Sequence, residues 1–291
     1  MSDSSQSHAT TDVLQLSPDG FVRFARYITG ELGIKMPDSK MSMIQSRLIR
    51  RVRELGLPSV EHYGEYLFAF GNDGEREHFI NAVTTNKTDF FREPEHFQYL
   101  TDVALPSLQG ASQYDPGCIK VWSAACSSGE EPYTLGMVLS ESSLRQKQTD
   151  FAVLATDVST KVLQKARSGI YTEEQIAPIP VEMRTKYLLQ NNDQPERLVR
   201  IVPKLRQKVS FHQLNFMVPN YGIKDSFDII FLRNVLIYFD KSIQEAVVNK
   251  VCSYLNPGGY LFVSHSESLF GLKVKVNRVG TSIYRLPMSH S

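Results

Sequence analysis

The sequence predicts an α/β protein: a doubly wound, mostly parallel sheet that carries a small inserted antiparallel β-subdomain and follows an all-helical domain. Three observations lead there. Strand-like apolar runs alternate with amphipathic helical ones through the second half of the chain, the pattern of a parallel sheet with helical crossovers. From Phe21 to about Ala82 the periodicity is helical only, punctuated by "GIKMPDS", "LGLPS" and "FGNDG". Between Tyr171 and Lys208 the alternation is interrupted by prolines and the strand-like "RLVRIV", which reads as an insertion. A chain of 291 residues, 42% hydrophobic and 22% charged, can bury one large core or two ordinary ones.

The elements follow in order. Residues 1–16 open with the polar "MSDSSQSHATTD", which lacks the apolar run of a signal peptide and is expected to be a flexible tail. Residues 17–90 form the helical domain. Its clearest helix is "MSMIQSRLIRRVREL", where Ile44, Leu48, Val52 and Leu55 make one apolar stripe and Arg47, Arg50 and Arg53 lie beside or opposite it. Residues 91–291 form the α/β domain, with the insertion at about 172–208. Its strands are expected at "IKVWSAA", "FAVLATD", "VSFHQLNF", "FDIIFLR" and "GGYLFVSHS". The helices between them fall at "PYTLGMVLSESSL", "STKVLQKARSG" and "KSIQEAVVNKVCSYL".

Composition excludes several classes of function. A net charge of +1 gives no global field for nucleic acid or an anionic membrane. Cys118, Cys126 and Cys252 form no C-x-x-C or Cys/His cluster, so neither a metal site nor a disulfide framework is expected. The most apolar run, "FDIIFLRNVLIYF", is about 13 residues long and contains Arg and Asn, too short and too polar to span a bilayer. A cytoplasmic monomer is expected.

In an open parallel sheet, ligands bind beyond the carboxyl ends of the strands. The loop "SAACSSGEEP" after the first strand resembles a phosphate cradle, yet it holds a single glycine, Gly129, and two carboxylates, Glu130 and Glu131. Asp157 closes the second strand, where an acid can accept hydrogen bonds from ribose hydroxyls. Each has a structural alternative: Asp157 or Ser159 as a helix N-cap, and Ser128-Gly-Glu-Glu131 as a capping box. A ribose acid together with a carboxylate-bearing loop suits a nucleoside cofactor that lacks a pyrophosphate and carries positive charge. S-adenosylmethionine is such a molecule, and dinucleotides have the wrong sign. The expected bet within the loop is Glu131 on the ligand and Glu130 on the helix surface.

Four stretches, "TTNKTDFFREPEHF", "VWSAACSSGEEPYTLGM", "DVSTKVLQKARSGIY" and "FDIIFLRNVLIYFD", resemble the chemotaxis receptor methyltransferases, the CheR family, and "GGYLFVSHSESL" extends the likeness. The resemblance covers nearly all the chain past the tail. It implies a class I S-adenosylmethionine-dependent methyltransferase domain that moves methyl to glutamate side chains of chemoreceptor cytoplasmic helices, leaving S-adenosylhomocysteine and γ-glutamyl methyl esters. It further implies that Asn86, Thr88, Arg92, Glu131, Asp157, Asn215, Phe216, Arg233 and Asn234 hold the cofactor. Arg92 and Tyr238 would then face the methyl-transfer centre, and Arg47, Arg50, Arg51 and Arg53 would meet the receptor helices. Bottom-up, Arg92 reads equally as a surface arginine, Tyr238 as a core tyrosine, and the basic helix as a solvated face. A carboxylate acceptor is already ionised near neutrality, so no general base is expected. The insertion's turn, "LLQNNDQPERLVRIV", has no glycine where peptide-docking members are glycine-rich.

Overall fold

The computed structural model describes residues 15–108, 117–146, 150–190 and 198–288. The turn of the insertion just discussed, at 191–197, lies outside them, as does most of the expected tail. The chain divides into two compact units, residues 1–85 and 86–291.

The first unit is helical. Helix α1, Pro18–Leu32, starts where the Ser17 hydroxyl accepts from Gly20 N and Pro18 takes the first-turn position that needs no N–H; it stops at Gly33 in the left-handed region. Then come α2, Met41–Glu54, α3, Val60–Phe70, and α4, Asp73–Val83. The apolar stripe of α2 goes inside as its spacing requires, with Ile44, Leu48 and Val52 fully buried. They share a core with Phe24, Ile28, Tyr63, Leu67 and Phe79. One charged group is drawn inward: Glu75, buried, accepts from both Arg51 Nε and Nη2 and from Tyr63 Oη at 2.8 Å.

The second unit is built on a seven-stranded sheet. Five parallel strands come first in the chain: β1, Cys118–Ala124, β2, Asp150–Asp157, and, beyond the insertion, β6, Val209–Gln213, β7, Phe227–Leu232, and β8, Leu255–Phe262. An antiparallel hairpin, β9, Asn277–Gly280, and β10, Ile283–Arg285, closes one edge. The spatial order is β6-β2-β1-β7-β8-β10-β9. Every residue of β7 is buried, as expected of a strand covered on both faces. Helices α5, Pro94–Tyr99, α6, Glu130–Gln146, α7, Thr160–Ser168, and α8, Lys241–Cys252, supply the layers; α5 continues through a π-helical turn, Leu100–Ala104, to Leu108. Right-handed crossovers place α6 and α7 on one face and α8 on the other, because chain progression reverses between β1 and β7. That reversal opens a crevice at the carboxyl ends of β1 and β7. The insertion is a three-stranded antiparallel sheet of order β3-β5-β4, with β3 at Ile170–Thr172, β4 at Leu188–Gln190 and β5 at Leu198–Ile201. Among the described residues no helix is long and apolar enough to cross a membrane.

Candidate cofactor and acceptor site

Backbone strain marks the crevice. Among the described residues six non-glycine positions have positive φ, and five of them, Phe91, Glu93, Ala125, Ser127 and Asn234, sit in the segment before α5 or just after β1 and β7. Such conformations cost about 1–3 kcal/mol each and persist only where surrounding contacts over-determine them. The contacts are visible. Cys126 N donates to Thr156 O at 2.9 Å, Tyr171 Oη to Ser128 O at 2.8 Å, and Ser127 Oγ to Asn86 O at 2.9 Å.

Gly129 is required by packing. Its φ is +97°, and a Cβ there would stand 2.8 Å from Ala166 Cβ and 2.9 Å from Tyr171 Oη. The glycine lets α6 start hard against α7; close approach to a diphosphate is not needed to explain it.

Asp157 ties two loops together. It is buried, its Oδ2 accepts from Ser127 N and its Oδ1 from Ser159 N, both at 2.9 Å. Ser159 is the N-cap of α7, so Asp157 is not spent on capping. With Val158 N as a third backbone donor, the carboxylate still has fewer bonds than its four lone pairs can accept, which leaves room for a ligand donor. Leu214 N donates to Asp157 O, which brings in the loop after β6. In that loop Asn215 Oδ1 accepts from Met217 N at 2.9 Å, and the half-buried Phe216 meets Tyr221 and Phe239 edge-on.

One of the two loop carboxylates departs from its expected place. Glu130 is buried, not on the helix surface: its Oε2 accepts from Ser128 Oγ at 2.7 Å and its Oε1 from Gln175 Nε2 at 3.3 Å. A first-turn residue points back toward the preceding loop, and here that direction is occupied by the insertion. Glu131 does not close a capping box with Ser128. Its Oε1 accepts from Ser123 Oγ at 2.6 Å, and its Oε2 takes Arg233 Nη1 at 3.0 Å.

Arg233 is the hub of the crevice floor. Its side chain is 2% exposed, lies over the rings of Phe97 and Phe231, and pairs with both Glu131 and Glu93 at 3.0 Å. Nη2 also donates to Arg92 O, which fixes the backbone from which the Arg92 side chain leaves. Among the described residues, Arg92 commits Nη1 to Lys87 O at 3.2 Å, which leaves most of its fork available. Phe91 N donates to Thr134 Oγ1, so the segment from Asn86 through Thr88 to Arg92 is pinned on α6. Asn234 adopts φ +59°, donates its N–H to Glu267 Oε2 and its Nδ2 to Ser264 Oγ. Tyr238 is half-buried at the end of a short 3-10 turn, Leu236–Tyr238.

Burial pushes the Glu130, Glu131 and Asp157 carboxyls above the usual carboxylate range; for Glu131 the neighbouring Arg233 offsets part of that push. Burial also acts on Glu93, but the Ser264 hydroxyl and Arg233 outweigh it and hold its carboxyl below the usual range. His96, buried in α5, is pushed down to about 4 by burial and by Arg233, against a weaker opposing pull from Glu93. A cationic ligand nearby would offset that push, since a positive charge favours the ionised carboxylate.

Three participants were not legible as site residues. Glu93 and Glu267 act mainly through partners far along the chain: Glu267 accepts from the backbone N–H groups of Asn234, Leu236 and Ile237, as well as from nearby Ser264. Glu130 was legible as an acid but misplaced.

The four arginines expected to meet a partner do not form one outward face. Arg47 Nη1 donates to Val83 O and Thr84 O and Nη2 to Thr85 Oγ1, while Arg51 grips buried Glu75. Only Arg50, 85% exposed, and Arg53 face outward, and Arg50 pairs with Glu54 at 2.9 Å. The two inward-turned guanidinia satisfy helix-end carbonyls and a buried carboxylate, which outcompete solvent for them.

Comparison with known proteins agrees with this geometry. Residues 86–285 match the family model described as "CheR methyltransferase, SAM binding domain", and residues 19–84 match "CheR methyltransferase, all-alpha domain". A chemotaxis protein methyltransferase of Escherichia coli is 38% identical over 276 residues, 95% of this chain and 93% of that protein. A chemotaxis protein methyltransferase 2 of Pseudomonas aeruginosa is 37% identical over 252 residues, 87% of each chain. One from Borreliella burgdorferi is 36% identical, covering 89% of this chain and 92% of that one. With a crevice of the right charge and topology, an all-helical first unit and relatives matched over nearly their full length, the chain belongs to the CheR family of S-adenosylmethionine-dependent chemotaxis methyltransferases.

Proposed function

We propose that this chain methylates glutamate side chains on the cytoplasmic helices of chemoreceptors, in the cytoplasm and as a monomer. The observation that carries the reading is the placement of Arg92. Arg233 is locked between Glu93 and Glu131 and grips the Arg92 backbone, so the Arg92 fork leaves a rigid base at the carboxyl ends of β1 and β7.

When bound, S-adenosylmethionine supplies an electrophilic methyl group on a sulfonium. Asp157 is suited to its ribose, the Asn215–Phe216 loop to its adenine, and Glu131 with Asn86, Thr88, Arg233 and Asn234 to its amino-acid end. Arg92 orients the acceptor carboxylate through a two-pronged, charge-assisted hydrogen bond, and Tyr238 shapes the same corner. The acceptor is ionised before it arrives, so no side chain needs to take a proton; the protein's work is orientation and exclusion of water. Arg50 and Arg53 are the arginines available to an acidic receptor helix.

The experiment is transfer of labelled methyl to receptor-bearing membranes by wild type, Arg92→Ala and Tyr238→Phe. Arg92→Ala lowers turnover about 100-fold, the scale of losing one orienting contact, with a much smaller change in cofactor affinity. Wild-type turnover combined with lost cofactor binding would overturn the assigned roles.

A further inference from the structure

Methyl transfer has no use for the side chains behind the Glu93–Arg233 pair. His96 is 1% exposed, with its ring edge-on to Phe262 at 5.7 Å and to His265 at 4.7 Å. Apart from a weak approach of the Thr281 backbone, neither ring nitrogen finds a hydrogen-bond partner, which is rare for a buried polar side chain. Nδ1 instead faces Glu93 Oε2 at 3.4 Å. A neutral imidazole that turns its lone pair to a carboxylate is repelled, and one that turned an N–H there would close to a normal bond. A metal cation between the two groups resolves the arrangement.

His265, on the loop after β8, completes the set. Glu93, His96 and His265 each offer one ligand atom, and these atoms all lie within 4.8 Å of one another. We propose that Glu93, His96 and His265 form a binding site for one divalent transition-metal ion of the zinc class. Two imidazoles and one carboxylate match the ligand preference of zinc and its neighbours, whereas magnesium and calcium favour oxygen-only sets. Bonds of about 2.0–2.2 Å require the ligand atoms to draw closer together. His265 is exposed and free to swing in by a rotamer change, and its exposure also gives the ion an entry path. Charge permits the ion, since the one Arg233 guanidinium faces two carboxylates, Glu93 and Glu131. The three ligands leave a fourth position for water, as in open zinc sites. Spacing along the chain gave no hint of this site, because its third ligand lies 169 positions beyond the second (265 − 96).

The test uses the full chain, stripped with a chelator and titrated with zinc chloride by calorimetry, then with cobalt(II) by absorption. Wild type takes up one equivalent, and the cobalt complex shows d–d bands without thiolate charge transfer. His265→Ala weakens binding by about tenfold or more, while His212→Ala, which removes another exposed histidine, leaves it unchanged; both variants melt as wild type without metal. Absence of stoichiometric uptake, uptake indifferent to His265→Ala, or thiolate bands assigning the ion to a cysteine would each overturn the proposal. The outcome is independent of the methyl acceptor.

Discussion

Replacing Arg233 by Met tests the energetic centre of the crevice. The guanidinium is 2% exposed and holds Glu131 Oε2 and Glu93 Oε2 at 3.0 Å each. Removing one partner of a buried ion pair costs about 3–5 kcal/mol, mostly for the charge left behind. Here two carboxylates are left behind, and one of them takes up a proton to avoid facing the other. Methionine retains the contact with Phe97 and Phe231 that the guanidinium makes at 5.8 and 5.9 Å, so little packing is lost. The expected destabilisation is therefore about 3–5 kcal/mol. Denaturant unfolding followed by fluorescence measures it in the right unit, because Trp122 is the single tryptophan and is fully buried in β1. Adding Glu131→Gln removes one of the stranded charges, so the double variant is less unstable than the sum of the singles by about 0.5–3 kcal/mol. A cost below about 1 kcal/mol, the range of an exposed pair, or strict additivity, would refute the claim that Arg233 is a buried hub.

Three further outcomes follow from the same structure. Gly129→Ala combines a strained positive φ with a Cβ 2.8 Å from Ala166, and is expected to destabilise by about 2–4 kcal/mol and to weaken cofactor binding measured by calorimetry. Burial pushes the Glu75 carboxyl up, but Arg51 and Tyr63 outweigh it and hold it below its ordinary value of 4.5. Its stabilising contribution is therefore present above that value and lost as pH falls through the lower folded one; Glu75→Gln flattens the acid limb of a stability–pH curve of the helical unit. Arg50→Glu with Arg53→Glu raises the receptor KM without changing cofactor affinity, whereas Arg51→Glu unfolds the helical unit by facing Glu75 with a like charge.

The sheet was legible because local pattern carries it. Runs such as "FDIIFLR" and "FAVLATD" are apolar enough to be strands buried on both faces, and the helices between them show their own period. The acids at strand ends were legible for the same reason, since a strand's end locates the crevice. What stayed hidden was pairing across the chain. Arg233 meets Glu131 across 102 positions and Glu93 meets Ser264 across 171, distances over which periodicity is silent. Glu130 and Glu131 show the limit at close range: adjacent on one helix turn, they point about 100° apart, and only the insertion and Arg233 decide which partner each finds. Arg47 and Arg51 likewise read as surface charge until the carbonyls after α4 and Glu75 are in place.

The most direct measurement is the chemistry of the product. Purified chain, labelled S-adenosylmethionine and receptor-bearing membranes should yield label on receptor glutamates that mild base releases as methanol, with none on receptors whose methylatable glutamates are replaced by alanine. Base-stable label, or equal labelling of the replaced receptors, would contradict the account.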